Sequence, residues 1–293
     1  MPLPLRAKGT LAFRFDVDSV RCLEEGVPRL MELARARGVR FSFFVNMGRS
    51  FNWAHNFRHF VVSGHGRTSA VPGPRPPSLP TKVKLGRVGV LKTMFLNPRL
   101  GDRYRPILDA LYAEGHELAL HGGTDHVIWQ RSLATLSRHQ IDDLLRPAYE
   151  TFSSRYGAPK GFASPGFVHN AHVYELLDAY GFVYSSDETG EYPFQPKDGD
   201  RTYRHFQVPV NVMGDGNVPL IEQQLARGER EADIVASCAE RIAGRSFALM
   251  YGHPYVEGVR SSILASVIDA VAHTHQVVTV GEYLEQWRHV DVR

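Results

Sequence analysis

Two aspartates two positions apart, Asp16 and Asp18, sit in the otherwise apolar run FRFDVDSV. In an extended strand residues i and i+2 point to one face, so both carboxylates stand together at the strand's end. Like charges that close repel and raise one another's pKa, and a cation, a metal ion or a catalytic task relieves them. A second cluster lies in GHELALHGGTDH, where His121 and His126 flank two glycines and Asp125. A carboxylate with two imidazoles is a common ligand set for a divalent ion of the zinc, cobalt, manganese or nickel kind, with positions left for water and substrate. The glycines let the backbone turn tightly enough to bring both rings to one ion. Such an ion lowers the pKa of bound water to about 7, and a nearby carboxylate can take the remaining proton as that water attacks an amide carbonyl.

The elements that must position these groups alternate. TLAFRFDV reads as a strand, CLEEGVPRLMELARARG as an amphipathic helix closed by Gly38, and VRFSFFV as a second strand. After a long interruption come a helix over 104–114 and the short strand HELALH, then a helix over 133–156 and the strand KGFAS. AHVYELLDAYG reads as a helix, FVYSS and FQVPV as strands, 232–243 as a helix, SFALMYGH as a strand, 260–274 as a helix, and QVVTV as a strand before a last helix. About seven strands alternating with helices predict a parallel barrel or a doubly wound sheet. In a parallel barrel, catalytic groups gather at the carboxyl ends of the strands. Asp16 and Asp18, His121 at the end of HELALH and His253 at the end of FALMYGH all fall there. No internal repeat and no glycine-rich phosphate loop is present.

Composition bounds the rest. With 293 residues and 43% apolar composition the chain can bury a large core. We treat 1–293 as one catalytic domain with an insertion over about 46–105. Cys22 and Cys238 lie far apart, so neither a disulfide framework nor a cysteine-based zinc site is expected. The first 16 residues lack a long apolar stretch, which argues against a cleaved signal peptide, and no run is long enough to cross a membrane. The expectation is a cytoplasmic protein held peripherally at the inner membrane. The net charge of +3 hides an asymmetry, because 46–105 carries eleven Arg and Lys against the single acid Asp102, a local +10. Five prolines within 71–80 exclude a helix or central strand there. The same insertion holds the apolar clusters FNWAHNFRHFVV and VGVLKTMFL, so it is expected to meet a membrane surface. Nucleic-acid binding is not expected, for the stretch has no recognised module and no periodic basic helix.

FDVD, GHELALHGGTDH, SPGF and LMYGHP, in this order, resemble the motifs of the polysaccharide deacetylase (NodB homology) superfamily. FDVDSVRCLEEGVPRLMEL, NMGR, DHVIWQ, YSSDETGEYPFQP and HPYVEG are similar to stretches of one branch, the 4-deoxy-4-formamido-L-arabinose-phosphoundecaprenol deformylases. The resemblance implies a distorted, incomplete (β/α) barrel. It implies one divalent metal ion, zinc first, held by Asp18, His121 and His126, with Asp16 as general base and His253 as general acid. The implied activity removes an N-formyl or N-acetyl group from an amino sugar, here 4-formamido-arabinose linked to undecaprenyl phosphate in lipid A modification. Deacetylation of another polysaccharide, hydrolysis of a small cyclic amide and an inactive sugar- or lipid-binding module are the alternatives. Two departures stand out. The histidines are five apart rather than four, which puts Asp125 at the usual second position, as a fallback ligand or an orienting group. The superfamily's third motif usually carries an arginine that orders the base, where this chain has Ala163 and Ser164; Arg14 or Arg21 is a candidate substitute, and Asp187 a candidate to orient His253.

Overall fold

Strand β1 (Gly9–Val17) alternates between two environments, and that alternation sets the architecture. Leu11, Phe13, Phe15 and Val17 enter the larger core, while Ala12 joins a smaller cluster with Phe44, Ala119, Ala163 and Leu249. A strand buried on both faces belongs in the middle of a parallel sheet covered by helices. Phe13 and Phe15 both meet Phe41 edge to face, at 5.5 and 5.4 Å between centroids.

Residues 8–50 and 76–290 are described, in a computed structural model. After β1 a π-helical turn, Cys22–Gly26, leads into α1 (Val27–Arg37), which Gly38 ends at φ +63° as the sequence predicts. Next come β2 (Ser42–Val45), α2 (Thr81–Phe95), α3 (Leu100–Arg103), α4 (Arg105–Ala113) and β3 (Glu117–His121). They are followed by α5 (His126–Ser132), α6 (Arg138–Tyr156), β4 (Gly161–Ala163), α7 (Ala171–Tyr180) and β5 (Tyr184–Ser185). A small antiparallel hairpin, β6 (Lys197–Asp198) with β7 (Arg201–Thr202), precedes β8 (Phe206–Gln207) and α8 (Leu220–Ala226). The chain continues with α9 (Glu231–Ala243), β9 (Phe247–Gly252), α10 (Pro254–Glu257), α11 (Ser261–Val271), β10 (His275–Val278) and α12 (Val280–Val290).

Eight strands form one parallel sheet in the order β10-β1-β2-β3-β4-β5-β8, with β9 also paired to β1. On one edge of β1, β10 takes Gly9–Ala12 and β2 takes Arg14–Val17; β9 pairs with Thr10–Phe15. Between β8 and β9 the described chain makes one bridge, Val212 to Met250. The result is a curled, incomplete (β/α) barrel, as the sequence predicts.

The differences are local. Ser137 caps α6 by accepting from Gln140 N, and Gln140 returns the bond to Ser137 N, so the predicted helix over 133–156 begins only at Arg138. Helices α2, α5, α8 and α10 and the β6–β7 hairpin are not expected from the sequence. In α2 the pattern is interrupted by Gly86, whose φ of +66° breaks the helix. The insertion is drawn together at its base, where Leu100 N donates to Gly48 O at 2.8 Å and Arg49 bridges Arg99. The cluster FNWAHNFRHFVV lies outside the described residues. Cys22 and Cys238 are free and buried.

Candidate active site

The inner face of β1 carries Arg14 and Asp16, two residues apart, and Asp18 follows just beyond the strand. Arg14 grips both oxygens of Asp16, with Nε to Oδ1 at 2.8 Å and Nη2 to Oδ2 at 2.7 Å, and donates to the Ser186 carbonyl. Its guanidinium lies 4.6–5.2 Å from the ring centroids of Phe44, Phe167 and Tyr251. A planar fork on a carboxylate, enclosed by aromatic faces, is a fixed geometry. Burial opposes the Asp16 charge, but Arg14, through its charge and its hydrogen bonds, outweighs it and holds the carboxyl below its ordinary value. Asp16 is therefore an anion at neutral pH.

His121 ends β3, and Gly122, at φ +64°, turns the chain where a Cβ would meet Pro165 at 2.7 Å. The His121 Nδ1 stands 3.0 Å from the Ala163 carbonyl, a group that can only accept, so the proton is on Nδ1 and the Nε2 lone pair is free. That Nε2 lies 3.9 Å from Asp16 Oδ2. His126 opens α5 and places Nε2 3.7 Å from Asp18 Oδ2; the rings of His121 and His126 are 5.4 Å apart. Burial pushes His121 down to about 4 and His126 below its ordinary value, each against the pull of the aspartates. Both imidazoles are thus neutral at pH 7.

His253 follows β9 and faces the same centre, with Nε2 3.8 Å from Asp18 Oδ2 and 3.3 Å from the Tyr251 hydroxyl. Its ring stacks on Tyr255 at 4.8 Å, and its backbone N–H donates to Glu257 Oε2 at 2.7 Å. Burial pushes the Glu257 carboxyl up to about 8. Asp16, Asp18, His121, His126 and His253 all line one cavity of about 220 Å³ with Lys84, Gln130, Gly166, Asn217, Val218, Pro219, Glu222, Tyr251 and Tyr255.

Three subsidiary candidates take these places. Asp125 caps α5, its Oδ1 accepting from Ile128 N at 2.9 Å, and it does not line the cavity. Of the two candidate arginines, Arg14 binds Asp16, whereas Arg21 donates to Glu25 and to the carbonyls of Val83 and Lys84. Asp187 accepts from Ser164 N and lies on the Arg14 side, while His253 is held through Glu257. Sequence reasoning missed Tyr251, Tyr255, Glu222 and Lys84. A signal for Tyr251 existed: it precedes His253 by two, as Arg14 precedes Asp16.

Two neutral imidazoles and an adjacent carboxylate are the donor types a divalent ion takes, and for His121 the Nδ1 bond to a carbonyl fixes the tautomer it needs. The donors stand as pairs, and among the described residues no three His, Cys, Asp or Glu form a preformed metal-holding group.

No family model matches the chain. It is 25% identical over 210 residues to a Shewanella sediminis protein assigned as the 4-deoxy-4-formamido-L-arabinose-phosphoundecaprenol deformylase ArnD, a match covering 69% of this chain and 63% of that protein. A protein of Mycobacterium smegmatis assigned to the polysaccharide deacetylases has the same fold, with a TM-score of 0.62 and 18% identity over 99% of this chain and 94% of its own. The allantoinase PuuE also shares it, with a TM-score of 0.60 and 12% identity over 97% of this chain and 92% of its own.

Proposed function

Starting from a chain that carries the polysaccharide deacetylase fold and whose motifs resemble that superfamily, we propose that it hydrolyses the N-formyl or N-acetyl amide of an amino sugar. The convergence of Asp16, Asp18, His121, His126 and His253 in one cavity carries this reading. Asp18, His121 and His126 are the residues that would hold a divalent ion, zinc first, and such an ion supplies Lewis acidity toward water and an amide carbonyl. Asp16, anionic and fixed by Arg14, accepts the proton of the attacking water. Its depressed pKa costs some basicity and gains full ionisation. His253, whose Nε2 lies 3.8 Å from Asp18 Oδ2, delivers a proton to the departing amine, which leaves poorly as an anion.

The sequence match favours a lipid-linked 4-formamido-arabinose as substrate, with undecaprenyl phosphate as carrier. Helix α2 supports a membrane-surface partner, because Val88, Leu91 and Phe95 are 62, 55 and 79% exposed on a segment rich in bases. No helix among the described residues is long and apolar enough to cross a membrane, so the association proposed is peripheral.

The decisive experiment incubates the protein, loaded with zinc, cobalt, manganese or nickel, with formylated and acetylated sugar-lipid analogues and with a cyclic amide. Release of formate or acetate from the sugars is expected, and loss of metal from Asp18→Ala and His121→Ala should accompany loss of turnover. Turnover of the cyclic amide alone, or of nothing with every metal, would sink the assignment.

A further inference from the structure

Lys84 is the one lysine or arginine among the described residues lining the cavity. It arrives on α2, from the insertion, and three grips hold that segment to the barrel. Arg21 donates to the carbonyls of Val83 and Lys84, and Lys92 pairs with Glu24 at 2.7 Å. The third is Glu222, whose Oε1 accepts from the Ser78 hydroxyl at 2.7 Å and from Leu79 N at 3.3 Å and forms an ion pair with Lys84 Nζ at 2.6 Å. Glu222 is fully buried and its Oε2 has no hydrogen-bond partner, while the Lys84 side chain keeps 24% exposure.

The ion pair balances the buried Glu222 carboxylate, yet the Lys84 side chain stays partly exposed on the cavity wall, where a ligand can reach it. An ammonium has three donors, and an ion pair with one carboxylate oxygen does not use them all. The other charged walls of the cavity are the carboxylates Asp16, Asp18 and Glu222, and the Arg14 fork is occupied by Asp16. Apart from the candidate metal position, a negative group on a ligand therefore finds its favourable side-chain partner in this cavity at Lys84.

We propose that Lys84 determines substrate specificity by binding an anionic oxygen, phosphate or carboxylate, carried by the amino-sugar amide, while Glu222 fixes the ammonium in the cavity wall. The turnover part of this inference rests on the hydrolase reading above; the binding part does not. The expected substrate is an anionic amino sugar in preference to a neutral one.

The test uses the full chain with bound divalent ion and three N-formyl amino sugars: an anomeric phosphate, a matched uronate and a neutral methyl glycoside. In Lys84→Met, KM for the anionic substrate should rise about tenfold or more, the range of a lost charge-assisted hydrogen bond, and the neutral glycoside should be affected much less. Lys84→Arg should recover part of the difference, and whether the phosphate or the uronate suffers identifies the anion. Lys84→Gln replaces Lys84→Met if the latter fails to fold. An equal rise in KM on all three substrates, as a structural latch alone would give, overturns the proposal, as does an unchanged KM. Calorimetry with the sugar phosphate lacking its acyl group needs no turnover. Binding to wild type that weakens about tenfold in the variant supports Lys84 even if no amide is hydrolysed, in which case only the hydrolase reading falls. Absence of anionic-sugar binding by wild type, or equal binding by the variant, overturns it.

Discussion

Asp16 and Arg14 form a buried pair: losing Asp16 leaves the Arg14 charge among Phe44, Phe167 and Tyr251, and losing Arg14 leaves a buried carboxylate without its partner. Arg14→Met should therefore destabilise the protein by about 3–5 kcal/mol, the usual cost of an uncompensated buried charge. Asp16→Asn should cut turnover by about 10²–10⁴-fold, the range a general base contributes. Denaturant midpoints and kcat measured on both variants check the pair, and an Asp16→Asn enzyme with near-normal kcat removes Asp16 from the mechanism. At this scale much of the site was legible. The two-residue spacing of strands put Asp16 beside Asp18, and the five candidate residues do share a cavity. What escaped reading comes from elsewhere in the chain: Glu222 lies on α8 and Lys84 on α2, and no local pattern ties them to a strand end. Asp125 shows the reverse problem, because a carboxylate before a helix can cap it as readily as bind an ion.

Secondary elements meet closely where glycine allows it, and the contact behind His253 is of this kind. A Cβ on Gly26, at the end of the π-helical turn, would fall 2.0 Å from the Pro254 carbonyl oxygen, and one on Gly258 would fall 2.3 Å from the Gly26 oxygen. The turn that follows Asp18 is thereby packed backbone to backbone against α10, whose start is set by His253. π-Helical turns gather at functional sites, and this one joins the two halves of the candidate centre. Gly26→Ala should force them apart, costing about 1–3 kcal/mol of stability and lowering turnover together with it. Equilibrium unfolding and activity measured on one preparation check this, and an unperturbed enzyme would show that the contact is slack. The sequence located most strands and long helices because their periodicities are strong in β1, α1, α6 and β9. It did not foresee α2 or α8. The prolines of 71–80 and Gly86 obscure the first, and α8 is a seven-residue helix, too short for its period to register.

Charge is distributed unevenly over the whole molecule, since the insertion over 46–105 carries +10 against a total of +3. Each base near an anionic leaflet contributes roughly 1 kcal/mol, and the exposed Val88, Leu91 and Phe95 of α2 add apolar insertion. The protein should co-sediment with anionic vesicles, more strongly as anionic lipid increases and less as salt shortens the screening length to about 8–10 Å at 0.1–0.15 M. A protein left in the supernatant at low salt would show that these side chains serve another purpose. The base of the same insertion has a broader consequence. Its two ends are tied by the Gly48–Leu100 hydrogen bond and the Arg49–Arg99 bridge, so the barrel's strand registers are indifferent to how much chain lies between them. Loop closure adds only about 0.6 kcal/mol for each doubling of length. A neck of this kind makes exchange of the chain between Arg49 and Arg99 the change that would disturb the strand registers least, while the acid–imidazole centre stays as it is.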